Sequence, residues 1–283
     1  MLELKEKYIN PFTDFGFKKL FGTEMNKDLL MDFLNELLPI DGKITELNYL
    51  NPEQLGRSEA DRNAVFDIHC KTDKEEYFIV EMQKAYQKYF KDRSIYYASA
   101  PVRNQGVKGE WDFQLKAVYT VSVLNFVFNE EDPNYYHTEV KLMDTQKKTV
   151  FYDKLTFIYL EMPKFNKTLD ELETRFDKWL YVLKNLHKLQ ELPKKLQERI
   201  FKKIFKVAEI AKMTKEEHDE YEQNWKIIND NKNTMDAAIE TAVEVAVENK
   251  AIAIAKNLLA LGALTTEQIA QATGLTTDEI KAL

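Results

Sequence analysis

The chain of 283 residues has one cysteine, Cys70, so it cannot form an internal disulfide. It also lacks long apolar runs, because the longest stretch without a charged residue, 117–129, is too short to span a bilayer. The first residues have neither the basic start nor the apolar stretch of a signal peptide. From these absences we predict a protein of a reducing compartment, the cytoplasm, with no membrane partner.

Histidine and glycine are scarce as well. The four histidines are scattered along the chain, and with a single cysteine they offer no zinc site. The eight glycines never fall into a nucleotide-binding fingerprint, so we expect no glycine-rich phosphate loop. The net charge of -7 argues against a protein that coats nucleic acid by bulk attraction, although it does not exclude a local basic site.

Apolar residues make up 44% of the chain and aromatic residues 12%, which is enough for a packed core. Their spacing predicts a helix, a strand, a hairpin, a second helix and two more strands. In that order the elements cover 10–38, 44–50, 64–71 with 77–84, 87–104, 116–126 and 155–160. This order indicates an α/β fold, in which helices flank a mixed β-sheet.

After about residue 165 the pattern becomes entirely helical. Helices are predicted at 168–190, 193–211, 214–228 and 234–261, followed by two short capped helices. We therefore expect a core over 1–165, a helical extension packing on it over 166–230, and a separate C-terminal segment over 231–283. The helix at 234–261 has one acidic stripe and an apolar face, which favours docking or homo-oligomerisation. Acids dominate the two short helices, which argues against DNA contact there.

Two short apolar runs each contain one acid: Asp67 lies within 64–70, and Glu81 lies within 77–83. Both runs are rich in β-forming residues and are separated by a turn-prone segment, so they predict an antiparallel hairpin. A three-residue loop at 73–75 would place Asp67 directly opposite Glu81 on one face, whereas a two-residue loop would place them on opposite faces. Facing carboxylates repel, and a divalent cation between them relieves that repulsion.

Strand alternation divides the hairpin into two faces. One face would hold Asp67, His69, Glu81 and Gln83, and the apolar face would hold Phe66, Ile68, Cys70, Phe78, Val80 and Met82. Hydrolysis of a phosphodiester needs an activated water, a neutralised phosphate and a stabilised leaving oxygen, which Mg²⁺ held by carboxylates can supply. The alternative is that Asp67 and Glu81 are exposed acids of an edge hairpin, each pairing with a lysine. We expect His69 to be a neighbour rather than a base.

A basic segment follows the hairpin. It contains one acid, Asp92, and the basic residues Lys84, Lys88, Lys91, Arg93, Arg103 and Lys108. A solvated helix face and a phosphate-contacting surface both fit this composition. Lys88 and Arg93 are the preferred phosphate contacts, because Lys84 alternates to the far face of the strand. Tyr97 could stack on bases, although adjacent aromatic residues on a helix more often place one ring in the core.

The order of these residues resembles a known nuclease pattern. An Asp, a hairpin and then Glu-x-Lys form the PD-(D/E)XK signature, and Asp67 followed by Glu81-Met82-Gln83 is similar to its Glu-x-Gln variant. The wider chain resembles the recombination-promoting nuclease (Rpn) family, whose members are transposase-like. The matching segments are 13–22, 66–68, 79–83, 93–97 and 160–165. The likeness is close over about residues 8–165 and loose in the helical part.

This resemblance implies a restriction-endonuclease-like core and a metal-dependent DNA endonuclease associated with recombination or transposition. Asp67 and Glu81 would bind Mg²⁺ or Mn²⁺, Gln83 would stand in the place of the lysine, and Asp14 would occupy an early acidic position. The same resemblance adds Tyr97 and Gln105 as further site residues, with DNA as the partner. From its position, Asp14 fits an N-cap equally well.

Gln83 leaves an alternative open. Glutamine offers a carbonyl to a metal or a water, but it supplies no positive charge for the transition state. A catalytically weak or inactive nuclease fold that binds DNA or a protein is therefore the second hypothesis. Recognition of RNA by the basic helix is a third.

Overall fold

The computed structural model describes residues 6–38, 42–51, 53–54, 64–109, 112–128 and 132–283. The chain divides into two compact units, Met1–Asn224 and Trp225–Leu283. The predicted boundaries near 165 and 230 stay a prediction.

The first unit is built around a mixed β-sheet. The strands are β1 (Leu47–Tyr49), β2 (Glu53–Gln54), β3 (Ala64–Val65), β4 (Ile68–Thr72), β5 (Tyr77–Gln83), β6 (Val118–Leu124), β7 (His137–Asp144) and β8 (Thr149–Glu161). Six of them form one sheet in the order β1-β4-β5-β6-β8-β7, and β2 pairs with β3. Strand β6 lies parallel to both β5 and β8, and the other pairs are antiparallel. The predicted mixed α/β sheet is confirmed.

The edge strand β7 was not predicted from the sequence, and β8 begins before the predicted strand at 155–160. The added part of this hairpin is mostly exposed, and Val150 and Phe151 are among its exposed residues. An edge ribbon with little burial lacks the apolar run by which buried strands are recognised.

Eight α-helices complete the described part of the chain. They are α1 (Asp14–Phe21), α2 (Lys27–Leu37), α3 (Phe90–Asn104), α4 (Arg175–Asn185), α5 (Arg199–Val207), α6 (Lys215–Leu261), α7 (Thr266–Thr273) and α8 (Thr277–Lys281). The single helix predicted over 10–38 is wrong, because α1 ends at Gly22 and a short 3-10 turn precedes α2. Gly22 caps α1 by donating its N–H to the carbonyl of Lys18 at 2.7 Å.

Helix α6 also differs from the prediction, since it runs without interruption through the two helices expected at 214–228 and 234–261. The residues between them are poor helix formers, but the segment has neither proline nor glycine to stop a helix. Thr234 bonds back to the carbonyl of Asp230 at 2.8 Å within the same helix. In the described residues, no helix is long and apolar enough to cross a membrane.

Helices α4 and α5 lie in the first unit and pack by aromatic contacts. The Trp179 ring on α4 lies 5.6 Å from Phe33 on α2 and 5.5 Å from Phe201 on α5, measured between centroids. Asp32 on α2 accepts a hydrogen bond from the Trp179 indole at 2.8 Å and pairs with Arg175. The segment after residue 165 is therefore joined to α2 by buried rings and by charge-assisted hydrogen bonds.

Helix α3 covers one face of the sheet. Its residues Phe90 and Ala98 pack with Leu124 of β6 and with Tyr159 of β8. The Ser94 hydroxyl bonds the Tyr159 hydroxyl at 2.7 Å. These contacts fix the amino-terminal turn of α3 beside the carboxyl ends of the parallel strands.

The second unit has its own small core, in which Ala255 packs with Ile269 and Ile280. Thr265 and Thr276 each cap the helix that follows in a complete capping box, as their spacing predicts. Gly274 ends α7 in the left-handed conformation, with φ of 75°.

Candidate active site

The turn of the β4–β5 hairpin sets the register of the site. The Thr72 N–H donates to the Glu76 carbonyl at 3.0 Å, which leaves a three-residue loop closed by Glu75 at φ of 64°. Ile68 pairs with Val80 and His69 with Ile79, so the register is the predicted one. Continued by one position, this ladder puts residue 67 opposite residue 81.

Asp67 lies in a bend just before β4 rather than inside the strand. Its Oδ2 accepts the N–H of Met82 at 2.8 Å, where the bend ends the backbone ladder. Burial raises the pKa of Asp67, the Met82 hydrogen bond opposes that change, and the nearby charge of Asp14 adds to it. The carboxylate is therefore anchored to β5 beside Glu81.

Glu81 is buried in the middle of the sheet, with 7% of its surface exposed. Burial and then the charge of Asp67 raise the pKa of Glu81 to about 8, against a smaller lowering by Arg93. The Arg93 Nη2 lies 3.8 Å from the Glu81 Oε2. Both carboxylates are thus held close together in a poorly solvated site, where an added cation is favoured.

Gln83 is the last residue of β5, and its side chain is hydrogen-bonded to Arg93. Its Oε1 accepts a hydrogen bond from the Arg93 Nη2, and its Nε2 donates to the Ala85 carbonyl at 3.0 Å. Arg93 also donates to the Gln87 side chain at 2.5 Å. The structure therefore brings together Gln83 and Arg93, both of them predicted site residues.

Tyr97 lies one turn after Arg93 on α3 and faces the same site. The Arg93 guanidinium stands 5.5 Å from the centre of its ring, and the Phe66 ring meets it edge-on at 5.3 Å. Phe66 packs with Ile79 and Ala100, on the face of Glu81. The prediction that Phe66 lies on the opposite face is wrong, because the bend at Asp67 breaks the strand alternation.

Asp14 is the first residue of α1, and Thr13 is the N-cap, accepting the Gly16 N–H at 2.9 Å. Asp14 is exposed and pairs with Lys18 at 2.8 Å. Its charge raises the pKa of Asp67, after the larger effect of burial, so α1 brings a third carboxylate near the pair. Lys18 also acts on Asp67 and was missed by the sequence analysis, although its spacing of four from Asp14 was visible.

Gln105 is the predicted site residue that the structure places elsewhere. It follows the carboxyl end of α3, and its amide bonds the backbone of Lys116 through the Lys116 N–H at 2.7 Å and carbonyl at 3.3 Å. Lys116 precedes β6, whereas Glu81 pairs with Ser122 near the other end of that strand. At about 3.3 Å per residue, Gln105 is roughly 20 Å from the acids along the sheet.

Lys88 and His69 have simpler surroundings. Lys88 is exposed before α3, with its Nζ 5.4 Å from the ring centre of Tyr89. The His69 Nδ1 lies 3.1 Å from the Asn51 carbonyl oxygen, its ring contacts Phe66, and burial lowers its pKa. His69 is thus a buried part of the hairpin, and its predicted role as a neighbour of the acids rather than a base stays a prediction.

The donor set of the site fits a hard divalent cation. Asp67 and Glu81 offer carboxylate oxygens, and Mg²⁺ is commonly held by one or two carboxylates together with water and substrate phosphate. Within the described ranges, no three Asp, Glu, His or Cys side chains come together as a closed metal cage. The arrangement therefore suits Mg²⁺ or Mn²⁺ shared with a substrate.

The comparison with protein families agrees with the resemblance seen in the sequence. A family model described as PD-(D/E)XK nuclease family transposase matches residues 11–238. No curated protein and no solved structure matches the chain. The match confirms the restriction-endonuclease-like fold class, while the finer Rpn assignment stays a prediction. Since the matched segment covers most of the sequence, the chain belongs to the PD-(D/E)XK nuclease family of transposases.

Proposed function

We propose that the chain is a metal-dependent DNA endonuclease, which hydrolyses phosphodiester bonds at the pair of Asp67 and Glu81. The observation that supports the proposal is the register of the hairpin, which places the poorly solvated carboxylates of Asp67 and Glu81 close together. Such a pair is costly for the fold unless a divalent cation balances it. Membership in a nuclease family supports the same chemistry.

Each residue has a distinct task in this mechanism. Asp67 and Glu81 would hold Mg²⁺ or Mn²⁺, which when bound supplies an activated water and neutralises the phosphate. The Met82 N–H orients the Asp67 carboxylate, and the exposed Asp14 adds negative charge at the edge of the site. Arg93 lies beside Glu81, where a phosphate oxygen of the substrate would meet its positive charge.

DNA contacts would continue along the start of α3. Lys88 is exposed there and can bind a neighbouring phosphate, and the Tyr97 ring can contact a sugar or a base. Gln105 has no part in this mechanism, because its amide is bonded to the Lys116 backbone.

Nicking of supercoiled plasmid in Mg²⁺ or Mn²⁺ tests the proposal. Asp67→Asn removes one charge at constant size and should lower the rate by about 100-fold or more. Asp73→Asn, an exposed acid in the turn of the same hairpin, is the matched control and should cut like wild type. Equal nicking by Asp67→Asn and wild type would overturn the assignment.

A binding module that does not cut is the second candidate, and Gln83 favours it. The glutamine lacks the positive charge that the signature lysine would supply. In that case fluorescence anisotropy would detect DNA binding, no plasmid would be nicked, and Mn²⁺ would give no Asp67-dependent thermal shift.

We also propose that the enzyme acts in recombination or transposition in the cytoplasm. A separate proposal is that copies of the chain associate through the C-terminal helices. Exposed apolar residues at spacing of four support association: Met235, Ile239, Val243 and Val247 on α6. Ile239→Glu together with Val243→Glu should reduce the mass measured by light scattering. An unchanged mass would contradict association through this stripe.

A further inference from the structure

The signature lysine is absent from the site, yet a cation is present nearby. Gln83 occupies the lysine position at the end of β5 and carries no charge. The guanidinium of Arg93, from the first turns of α3, lies against both Gln83 and Glu81. Positive charge therefore reaches the two carboxylates from a helix and not from the strand.

Gln83 is oriented to hold this arginine. An amide can present either its oxygen or its nitrogen, and the bond from the Gln83 Nε2 to the Ala85 carbonyl at 3.0 Å settles which end is which. The oxygen is then directed at the Arg93 Nη2. Gln83 uses both ends of its amide within the protein, and its oxygen serves a guanidinium.

Arg93 is held on several sides. The Gln87 side chain accepts from its Nη1 at 2.5 Å, and its guanidinium carbon lies 5.4 Å from the Phe90 ring centre and 5.5 Å from the Tyr97 ring centre. Its side chain keeps 28% of its surface exposed. A guanidinium with this many contacts is pre-organised, while the exposed part remains accessible to a ligand.

The charge of Arg93 is felt by both acids. It lowers the pKa of Glu81 and of Asp67, although burial raises both by more. Lys18, the other cation that acts on Asp67, is 49% exposed and is paired with Asp14 on α1. Of the two cations, Arg93 is therefore the less exposed, and α3 holds it against Gln83 and Glu81.

We propose that Arg93 is the catalytic cation of this enzyme and that Gln83 is its positioning residue, not a metal ligand. The proposal rests on the proposed nuclease function and names the residue that stabilises charge on the scissile phosphate. The guanidinium offers two N–H groups on one side, which suits the oxygens of a phosphate as its bonds rearrange.

Cleavage by variants of the full chain provides the first test. Arg93→Gln should cut about 100-fold more slowly than wild type at saturating Mg²⁺. Arg93→Lys should recover part of the rate. The double variant that carries Gln83→Lys and Arg93→Gln should cut faster than Arg93→Gln alone. Arg103→Gln, an exposed arginine at the far end of α3, is the matched control and should retain the wild-type rate.

A double-mutant cycle separates positioning from metal binding. Gln83→Ala should slow cleavage by about 10- to 100-fold in wild type, with no further loss in the Arg93→Gln background. Mn²⁺ binding, followed by thermal shift without DNA, should be at least as tight in Gln83→Ala and in Arg93→Gln as in wild type. Weaker Mn²⁺ binding by Gln83→Ala in both backgrounds would overturn the positioning role.

The two proposals fail in different ways. If wild type shows no Asp67-dependent nicking, the nuclease function itself fails. If wild type cuts and Arg93→Gln cuts at the same rate, the function stands and the role of Arg93 is refuted. Thermal unfolding of each variant shows whether it is folded. If Arg93→Gln is unstable, Arg93→Lys takes its place in the test, because it keeps the positive charge but not the geometry of the guanidinium.

Discussion

Glu81→Gln is expected to stabilise the metal-free protein while it abolishes cleavage. Burial and the charge of Asp67 raise the pKa of Glu81 from 4.5 to about 8, and Arg93 offsets only part of this. That difference corresponds to roughly 5 kcal/mol of unfolding free energy when Glu81 is fully ionised in the folded state. The acid is kept for its function at a cost to stability, and glutamine removes the cost at nearly constant volume.

The pH dependence follows from the direction of this change. Below about pH 4.5 the carboxyl is protonated in both states and costs nothing. As the pH rises from there to about 8, the unfolded chain ionises first, so stability is lost across this window. At pH 7 the loss is about 3 kcal/mol, which is the expected advantage of Glu81→Gln.

Glu161 is the matched control, since it is a second buried glutamate in the same sheet. Its Oε1 lies 3.1 Å from the Lys164 Nζ, and its Oε2 accepts the Phe128 N–H at 2.8 Å. Glu161→Gln removes the carboxylate charge that pairs with the buried Lys164 and should destabilise the protein by about 3–5 kcal/mol. The same substitution is thus expected to have opposite signs at the two positions.

Urea unfolding in EDTA at about pH 4, 7 and 9 measures both effects. The curves of wild type and Glu81→Gln should converge at the lowest pH and separate as the pH rises. A Glu81→Gln variant that is less stable than wild type at pH 7 would refute the reasoning, because Arg93 would then form a structural ion pair with Glu81.

Three further predictions concern other parts of the fold. Gln105→Ala should leave plasmid nicking within about twofold of wild type, because Gln105 only bonds the Lys116 backbone; a larger loss would return it to the site. Asp177→Ala should cost about 2 kcal/mol in urea unfolding, since Asp177 caps α4 and pairs with Lys167. Burial raises the pKa of Asp177, but these hydrogen bonds outweigh burial and lower the pKa overall. The contribution of Asp177 to stability should therefore be present above about pH 4 and vanish as the pH falls below that value. Gly274→Ala should cost about 1 kcal/mol in local stability, because the backbone φ is 75° there. A Cβ meets nothing within 4 Å, so no clash adds to this cost, and the loss should be seen as faster amide exchange in α7 and α8.

The register of the site was predictable because one short turn determines it. Loop length and strand alternation are local properties, so the sequence between residues 67 and 81 leaves two registers, and the three-residue loop is the one in which the two residues face each other. The bend at Asp67 was not predictable in this way. It depends on the Met82 N–H and on the packing of Phe66 against α3, which are tertiary contacts.

Tertiary contacts also explain the other differences. Arg93 could be named as a phosphate contact from its position in a basic segment, but its bond with Gln83 depends on how α3 meets the end of β5. Gln105 follows the same helix, and only the sheet topology shows that it lies at the opposite end. The spacing of residues along a helix predicts the face on which each residue lies, but not the end of the sheet beside which that residue is placed.

Cys70 has a practical consequence for labelling the protein. It is fully buried between β1 and β5, and burial raises the pKa of its thiol, so the group stays protonated and inaccessible. A cysteine introduced at an exposed site, such as Lys88 or Ile239, should therefore react alone with a maleimide in the native protein. The natural sequence is a ready background for attaching one fluorophore or spin label without first removing a thiol.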